Sequence, residues 1–278
     1  MHPLKKQFQE QGFLVIPKAF PQSTIDELLA VTEKALHNEA FAYDHLAINE
    51  TGHIHKIKYM FEKDPLFLKV LVHDAIFSLV LALIDNPQTI VPTWEDMLIK
   101  IPYSGIPVTV HQDLALQCSK GTVFSVGIYL HDASHNPVYY LPGSHKLGRL
   151  TKDEVYEVYN TRREEFVPIK AKVGDLVIHN VMTVHYSEEN TSEHPRYTWY
   201  LEFRTKEQLL NDSPWDQEWI ERRRALWVYA LKNYRQEIDE LIPDYTSLIP
   251  YMNPLQLRIS HTNETVDYDM KSPYNHFA

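Results

Sequence analysis

Two short apolar runs, Leu176-Val177-Ile178-His179 and Thr183-Val184-His185-Tyr186-Ser187, precede a polar segment at 188–195. After it comes Arg196-Tyr197-Thr198-Trp199-Tyr200-Leu201-Glu202-Phe203-Arg204, in which aromatic and aliphatic residues alternate with polar ones. β-Branched and aromatic side chains suit a pleated, half-buried surface, so 176–204 reads as strands, the last two joined by a turn. Segments 96–101, 108–113, 122–130 and 138–141 have the same texture. A succession of short strands bounded by turn residues points to a mainly β fold, a sandwich or barrel. Its core covers about residues 90–204.

Outside that region the pattern turns helical. Residues 2–11, a stretch opening at Pro21, 65–85 and 215–241 read as helices, and Phe13-Leu14-Val15-Ile16 as a short buried strand. Thr24 and Glu27 have capping-box spacing. At about 150 residues per domain, 278 residues give just under two,. No repeat or linker divides the chain, so one domain over 1–278, with helical flanks at 1–89 and 205–278, is the economical expectation.

Lys plus Arg total 27 against 37 Asp plus Glu, a net charge of −10. Such a surface repels nucleic acid and anionic lipid, so neither is expected as a partner. The longest apolar run, from Ala75 to Ile84, is broken by Ser78 and too short to cross a bilayer,. Residues 1–7 show no signal peptide, and the lone Cys118 excludes an internal disulfide; a reducing, cytoplasmic setting is the expectation,. Only 8 glycines argue against Gly-rich phosphate loops, whereas 15 histidines mean that any bound metal takes nitrogen and oxygen ligands,.

His111-Gln112-Asp113 lies in the β region. Residues i and i+2 of a strand share a face, so the imidazole and the carboxylate can meet at one point. Two histidines and one carboxylate form the facial triad of non-haem Fe(II) oxygenases. His185 is the best candidate for the second histidine. A hairpin joining it to the strand from Arg196 would bring Arg196 near His185 and Ser187. Arginine pairs with carboxylates in a bidentate fashion, so a dicarboxylate bound to the metal could be gripped at its far end by Arg196 and Ser187. Taken singly, His-x-Asp is a chance pattern, His185 a core histidine and Arg196 a sheet-edge charge.

Taken together, His111-Gln112-Asp113, Leu141-Pro142-Gly143-Ser144-His145-Lys146-Leu147-Gly148, and His185-Tyr186-Ser187 followed by Arg196 resemble the phytanoyl-CoA dioxygenase family. The motifs span about residues 97–204. The resemblance implies a double-stranded β-helix (jelly-roll, cupin-like) core, with Fe(II), 2-oxoglutarate and O2 as reactants. It implies His111, Asp113 and His185 as iron ligands, and Arg196 and Ser187 as the grip on 2-oxoglutarate. More weakly, it implies that Lys56 and Met97 line the co-substrate pocket. The activity implied is C–H oxidation of a small molecule, with succinate and CO2 as co-products. In related halogenating sites a small residue replaces the carboxylate, so Asp113 favours hydroxylation or another oxidation.

Two positions depart from the pattern. Gly127 stands where many members carry Trp, and is expected to open or reshape the pocket. Asn136-Pro137 replaces a common Asn-Gly, a change expected to alter a turn without touching Arg196. Lys and Tyr residues at 56–59 and the Tyr139-Tyr140 pair suit a polar substrate, expected to belong to secondary or amino-acid-derived metabolism. His53 and His55 read as substrate-side or structural, His145 as a loop brace, and His179 as a decoy for the ligand position. Trp215, Trp219 and Trp227 read as packing residues, and Cys118 as a small buried hydrophobe. The rivals are a non-catalytic jelly-roll binding protein and a cupin-type metal enzyme that does not use 2-oxoglutarate.

Overall fold

The alternation in residues 196–205 gives one strand an apolar face (Tyr197, Trp199, Leu201, Phe203) and a polar one (Arg196, Thr198, Tyr200, Glu202),. The computed structural model describes residues 3–37, 46–48, 52–84, 87–103, 106–113, 122–212, 215–236, 241–242 and 245–251. The N-terminal third holds α1 (Pro3–Gln11), β1 (Phe13–Ile16), α2 (Gln22–Leu36), β2 (Leu46–Ile48), β3 (Ile54–Ile57), α3 (Pro65–Leu71) and α4 (Asp74–Leu83). Then come β4 (Ile90–Lys100), β5 (Val108–His111), β6 (Phe124–Tyr129), β7 (Val138–Tyr140), α5 (Lys152–Arg162) and β8 (Val167–Ile169). The chain continues through β9 (Leu176–Asn180), β10 (His185–Ser187), β11 (Arg196–Thr205), α6 (Lys206–Asp212) and α7 (Gln217–Tyr234).

These strands form two antiparallel sheets, ordered β1-β9-β6-β11-β4-β3-β2 and β5-β10-β7-β8. At the centre of the larger sheet, β4 and β11 pair from Lys100↔Arg196 to Ile90↔Thr205. The apolar face of β11 is buried with residues of α2, α3, α4 and α7 in the main core, where Phe67 meets Trp199 edge-on. Between the sheets lies a smaller cluster of Tyr129, Val138, Tyr140, Ile169 and Val177. Behind the smaller sheet, Val155 of α5 packs with Val110, Phe166 and Val184. The result is a jelly roll with helices against the outer face of its larger sheet.

Helix α7 is tied to β4 by a buried ion pair. Arg223 Nη1 donates to Glu95 Oε1 at 2.8 Å, its Nη2 to Glu95 Oε2, and its Nε to the Pro92 carbonyl at 2.7 Å. The expected packing role of Trp227 also holds: it is buried against Phe203 and Phe77. Trp215 and Trp219 stack on each other at 4.3 Å.

Several local expectations need correction. The helix foreseen at 65–85 is two helices, α3 and α4, bent by 49° at the break, and His73 caps α4 by accepting from Ala75 N. No single helix among the described residues is long and apolar enough to cross a membrane. Thr24 and Glu27 do not box the start of α2, which follows Pro21 without a side-chain cap. A capping box instead starts α5, through Thr151 and Glu154. Strand β1 forms at residues 13–16 as expected, whereas β2 and β3 extend the larger sheet further into what reads as a helical flank. Most consequentially, β10 and β11 are not a hairpin. Residues 188–195 carry the chain from the smaller sheet to the larger, held midway by Asn190, whose Nδ2 donates to the carbonyls of Ile101 and His194. Cys118 lies outside the described residues.

Removing one partner of a buried ion pair strands the other charge. Glu95→Ala is therefore expected to destabilise the protein by about 3–5 kcal/mol, read from denaturant unfolding.

Candidate metal and co-substrate site

His111 and His185 are direct cross-strand partners on β5 and β10, with ring centroids 4.2 Å apart. Asp113 follows β5 by two residues, and its Oδ1 lies 3.1 Å from His111 Nε2 and 3.5 Å from His185 Nε2. Among the described residues these three form a group able to hold a metal ion, with ligand atoms within 4.8 Å of one another. His53 and His55 are not part of it.

The rings are oriented by the backbone. His111 Nδ1 lies 2.7 Å from the Thr109 carbonyl and His185 Nδ1 2.9 Å from the Thr183 carbonyl. A carbonyl only accepts, so each imidazole donates from Nδ1. In the neutral ring the Nε2 lone pair then faces the centre. Burial, reinforced by the neighbouring His111, pushes His185 down to about 3. Burial opposes charge on Asp113, but the His185 and His179 imidazoles and the hydrogen bond from His179 outweigh it, holding the carboxyl well below its usual range. Two lone pairs and a carboxylate oxygen converging on one point is an arrangement a divalent cation relieves. Two imidazoles and one carboxylate suit Fe(II).

The neighbours of this group were not legible in the sequence. His179, expected to be a decoy, is no part of the triad, yet its Nε2 bonds the outer oxygen of Asp113, Oδ2. Tyr140 Oη lies 3.2 Å from His179 Nδ1, so a chain Tyr140–His179–Asp113 turns Oδ1 toward the two histidines. Gln112 points away from both. Its Nε2 donates to the carbonyls of Gly148 and Met182, while its Oε1 accepts from Leu150 N, stitching the His-x-Asp strand to its surroundings. The Pro-Gly-Ser-His turn supports the other ligand. Ser144 Oγ accepts from Val184 N, next to His185, and His145 Nε2 meets the Gln9 carbonyl at 3.1 Å, the brace expected of it.

Ser187 lies two residues beyond His185, roughly 7 Å along the strand. Lys100 Nζ donates to its Oγ at 2.9 Å, and Lys100 pairs in register with Arg196. Arg196 is 3% exposed, and Nη1 donates to the Asn136 carbonyl at 2.7 Å. This corrects the expectation that the Asn136-Pro137 turn leaves Arg196 untouched: Asn136 anchors it, while its Nδ2 donates to the carbonyls of Glu188 and Glu189. Ser187 and Arg196 thus meet from opposite sheets rather than across a hairpin. Beside them, Thr198 Oγ1 and Asn136 Oδ1 are buried with no hydrogen-bond partner among the described residues. A buried guanidinium with no carboxylate partner among the described residues, beside orphaned polar atoms, fits the far carboxylate of 2-oxoglutarate.

The two weaker candidates part company. Lys56 pairs with Leu98 and sets its Nζ 3.5 Å from Asp96 Oδ2 and 5.3 Å from the Trp94 ring centroid, on the interior face. Met97 is opposite Trp199, wholly buried in the helix-packed core. Its side chain does not line the pocket, because alternation gives that face to Asp96 and Leu98. Tyr139 likewise turns outward to stack on Tyr186 at 4.7 Å; only Tyr140 faces the metal group. At Gly127 a Cβ would stand 2.8 Å from Tyr200 Cε1. The Tyr200 ring lies over this glycine.

Comparison with known proteins agrees with this geometry. A family model described as phytanoyl-CoA dioxygenase (PhyH) matches residues 8–198. The chain belongs to this family. Phytanoyl-CoA dioxygenase 1 of Oryza sativa subsp. japonica is 28% identical over 190 residues, which is 64% of either chain. The match thus spans slightly under two thirds of the rice protein. Phytanoyl-CoA dioxygenase domain-containing protein 1 of Rattus norvegicus is 26% identical over 257 residues, 70% of this chain and 88% of its own. The crystal structure of EctD from S. alaskensis with 2-oxoglutarate and 5-hydroxyectoine superimposes with a TM-score of 0.65. It covers 75% of this chain and 77% of EctD at 15% identity, a likeness of fold.

Residues that orient a ligand commonly change metal affinity by about 10- to 100-fold. His179→Ala is expected to weaken Fe(II) or Co(II) binding by about that factor. Asp113→Ala should abolish it. Both are read by metal titration of the folded protein.

Proposed function

We propose that this protein is an Fe(II)- and 2-oxoglutarate-dependent dioxygenase acting on a C–H bond of a small polar molecule. The observation that carries the reading is the convergence of His111 Nε2, His185 Nε2 and Asp113 Oδ1, with Ser187, two residues beyond His185, bonded to Lys100, the register partner of the buried Arg196. When bound, the iron activates O2 at the expense of the 2-oxo acid. In the balanced reaction one oxygen atom enters succinate, CO2 leaves, and the other enters the substrate.

The protein's own residues position and shield. The Thr109 and Thr183 carbonyls hold the two imidazoles, and Tyr140–His179 holds the carboxylate. Arg196, Ser187 and Thr198 hold the far end of the co-substrate. The Tyr140 ring stacks on His185 at 5.2 Å and walls the site from water. Three ligands leave coordination positions open for the 2-oxo acid and O2.

The polar substrate is supported by the rest of the interior face. Asp96 is buried there, its carboxyl pushed up by burial against the pull of Lys56. Tyr200 is its register partner on β11. A biosynthetic role fits a fold that EctD carries with 2-oxoglutarate and 5-hydroxyectoine, and one cysteine in 278 residues fits a cytoplasmic setting,.

Succinate release from 2-oxoglutarate, dependent on Fe(II) and O2, tests the reading. Wild type is expected to turn over slowly alone and faster with the right metabolite; Asp113→Ala should not. Arg196→Ala should raise the KM for 2-oxoglutarate by about 100-fold or more. Undiminished turnover in Asp113→Ala sinks the proposal.

A further inference from the structure

Lys100 is as deeply buried as Arg196, at 5% exposure, and stands directly opposite it on the neighbouring strand. Its Nζ donates to Ser187 Oγ at 2.9 Å and to the Glu188 carbonyl. Neither cation has a carboxylate within ion-pair distance among the described residues. Two basic groups facing each other in the interior cannot both carry charge without cost unless a ligand supplies the anion.

Resting on the function proposed above, we propose that Lys100 is a second cation for the far carboxylate of 2-oxoglutarate, acting with Arg196 and fixing Ser187 as a donor to it. By donating to Ser187 Oγ, the ammonium occupies a lone pair of that hydroxyl and leaves its O–H to point at the ligand. Lys100 is thus both a charge and a positioning residue.

The charged groups around it support the same assignment. Burial, then the Arg196 charge on β11, lower Lys100 to about 6, while Glu188 and Glu189 beyond β10 act in the opposite sense. Glu188 and Glu189 are exposed. A Lys100 that is largely neutral at pH 7.5 has two N–H donors for its two acceptors. An arriving carboxylate restores the ammonium, so 2-oxoglutarate binding should take up a proton at pH values above the Lys100 value of about 6.

The test titrates 2-oxoglutarate into anaerobic, Fe(II)-loaded protein by calorimetry in phosphate and in Tris, whose ionisation enthalpies differ. Wild type should take up roughly one proton per ligand near pH 7.5. Lys100→Met and Lys100→Gln should take up none and bind about 10- to 100-fold more weakly. With 2-oxobutyrate, which lacks the far carboxylate, wild type and variants should bind alike. A lysine that merely pegs the loop after β10 would lower the melting temperature of the ligand-free protein when replaced. A charge awaiting its anion would leave it unchanged or raise it. Equal 2-oxoglutarate affinity and proton uptake in wild type and Lys100→Met overturns the role of Lys100 alone. No binding to wild type overturns it together with the proposed function.

Discussion

The antiparallel ladder between β4 and β11 is the constraint on which the rest of the molecule depends. Its register sets Arg196 opposite Lys100, Thr198 opposite Leu98 and Tyr200 opposite Asp96 on one face. Trp199 and Met97, Tyr197 and Ile99 fall on the other. The outer face is buried under helices, and a slip of one residue would exchange the two faces entirely. It would bury arginine and lysine among Phe67 and Trp227, and turn tryptophan toward the iron site. The energy of the helix-packed core therefore enforces the geometry of the polar interior.

Charge inside the fold is handled in two ways. On the outer side of β4, Arg223 and Glu95 satisfy each other completely, and the pair clamps α7 to the sheet. On the interior side, Arg196 and Lys100 have no such acid among the described residues, and the two histidines turn lone pairs toward a carboxylate. The first arrangement stabilises the folded chain by itself. The second has two basic groups wanting an anion at one end and excess electron density at the other. Those are the needs of a short dianion and of a divalent cation, held apart by about two residues of β10. Unfavourable local electrostatics at a site built for ligands is what ligand binding then relieves.

Much of the fold class and of the triad was legible in the chain because both depend on short spacing. His111 and Asp113, and His185 and Ser187, share faces by the i, i+2 rule whatever the rest of the protein does. Less visible were residues whose roles depend on a partner far away in sequence. His179 looked like a competitor for the ligand position and instead bonds Asp113, 66 residues away. Asn136 read as a turn residue and proves to anchor Arg196, 60 residues on. Lys100 was not legible at all, because its role depends on Ser187, 87 residues away. Met97 was misplaced because resemblance assigned it to the pocket, whereas its parity within β4 sends it to the core.

The sequence by itself determined the mainly β architecture, the pairs of residues on each strand face and the chemistry those types can support. Alternation and motif spacing are properties of a few consecutive residues, and they survive any arrangement of the strands. Only the tertiary structure decided that β10 and β11 belong to opposite sheets. It also decided that Lys100 stands beside Arg196, that Tyr200 lies over Gly127, and that Tyr140 and His179 aim the carboxylate. Those relations depend on register and on how two sheets pack, set by contacts across the whole chain that no local pattern encodes.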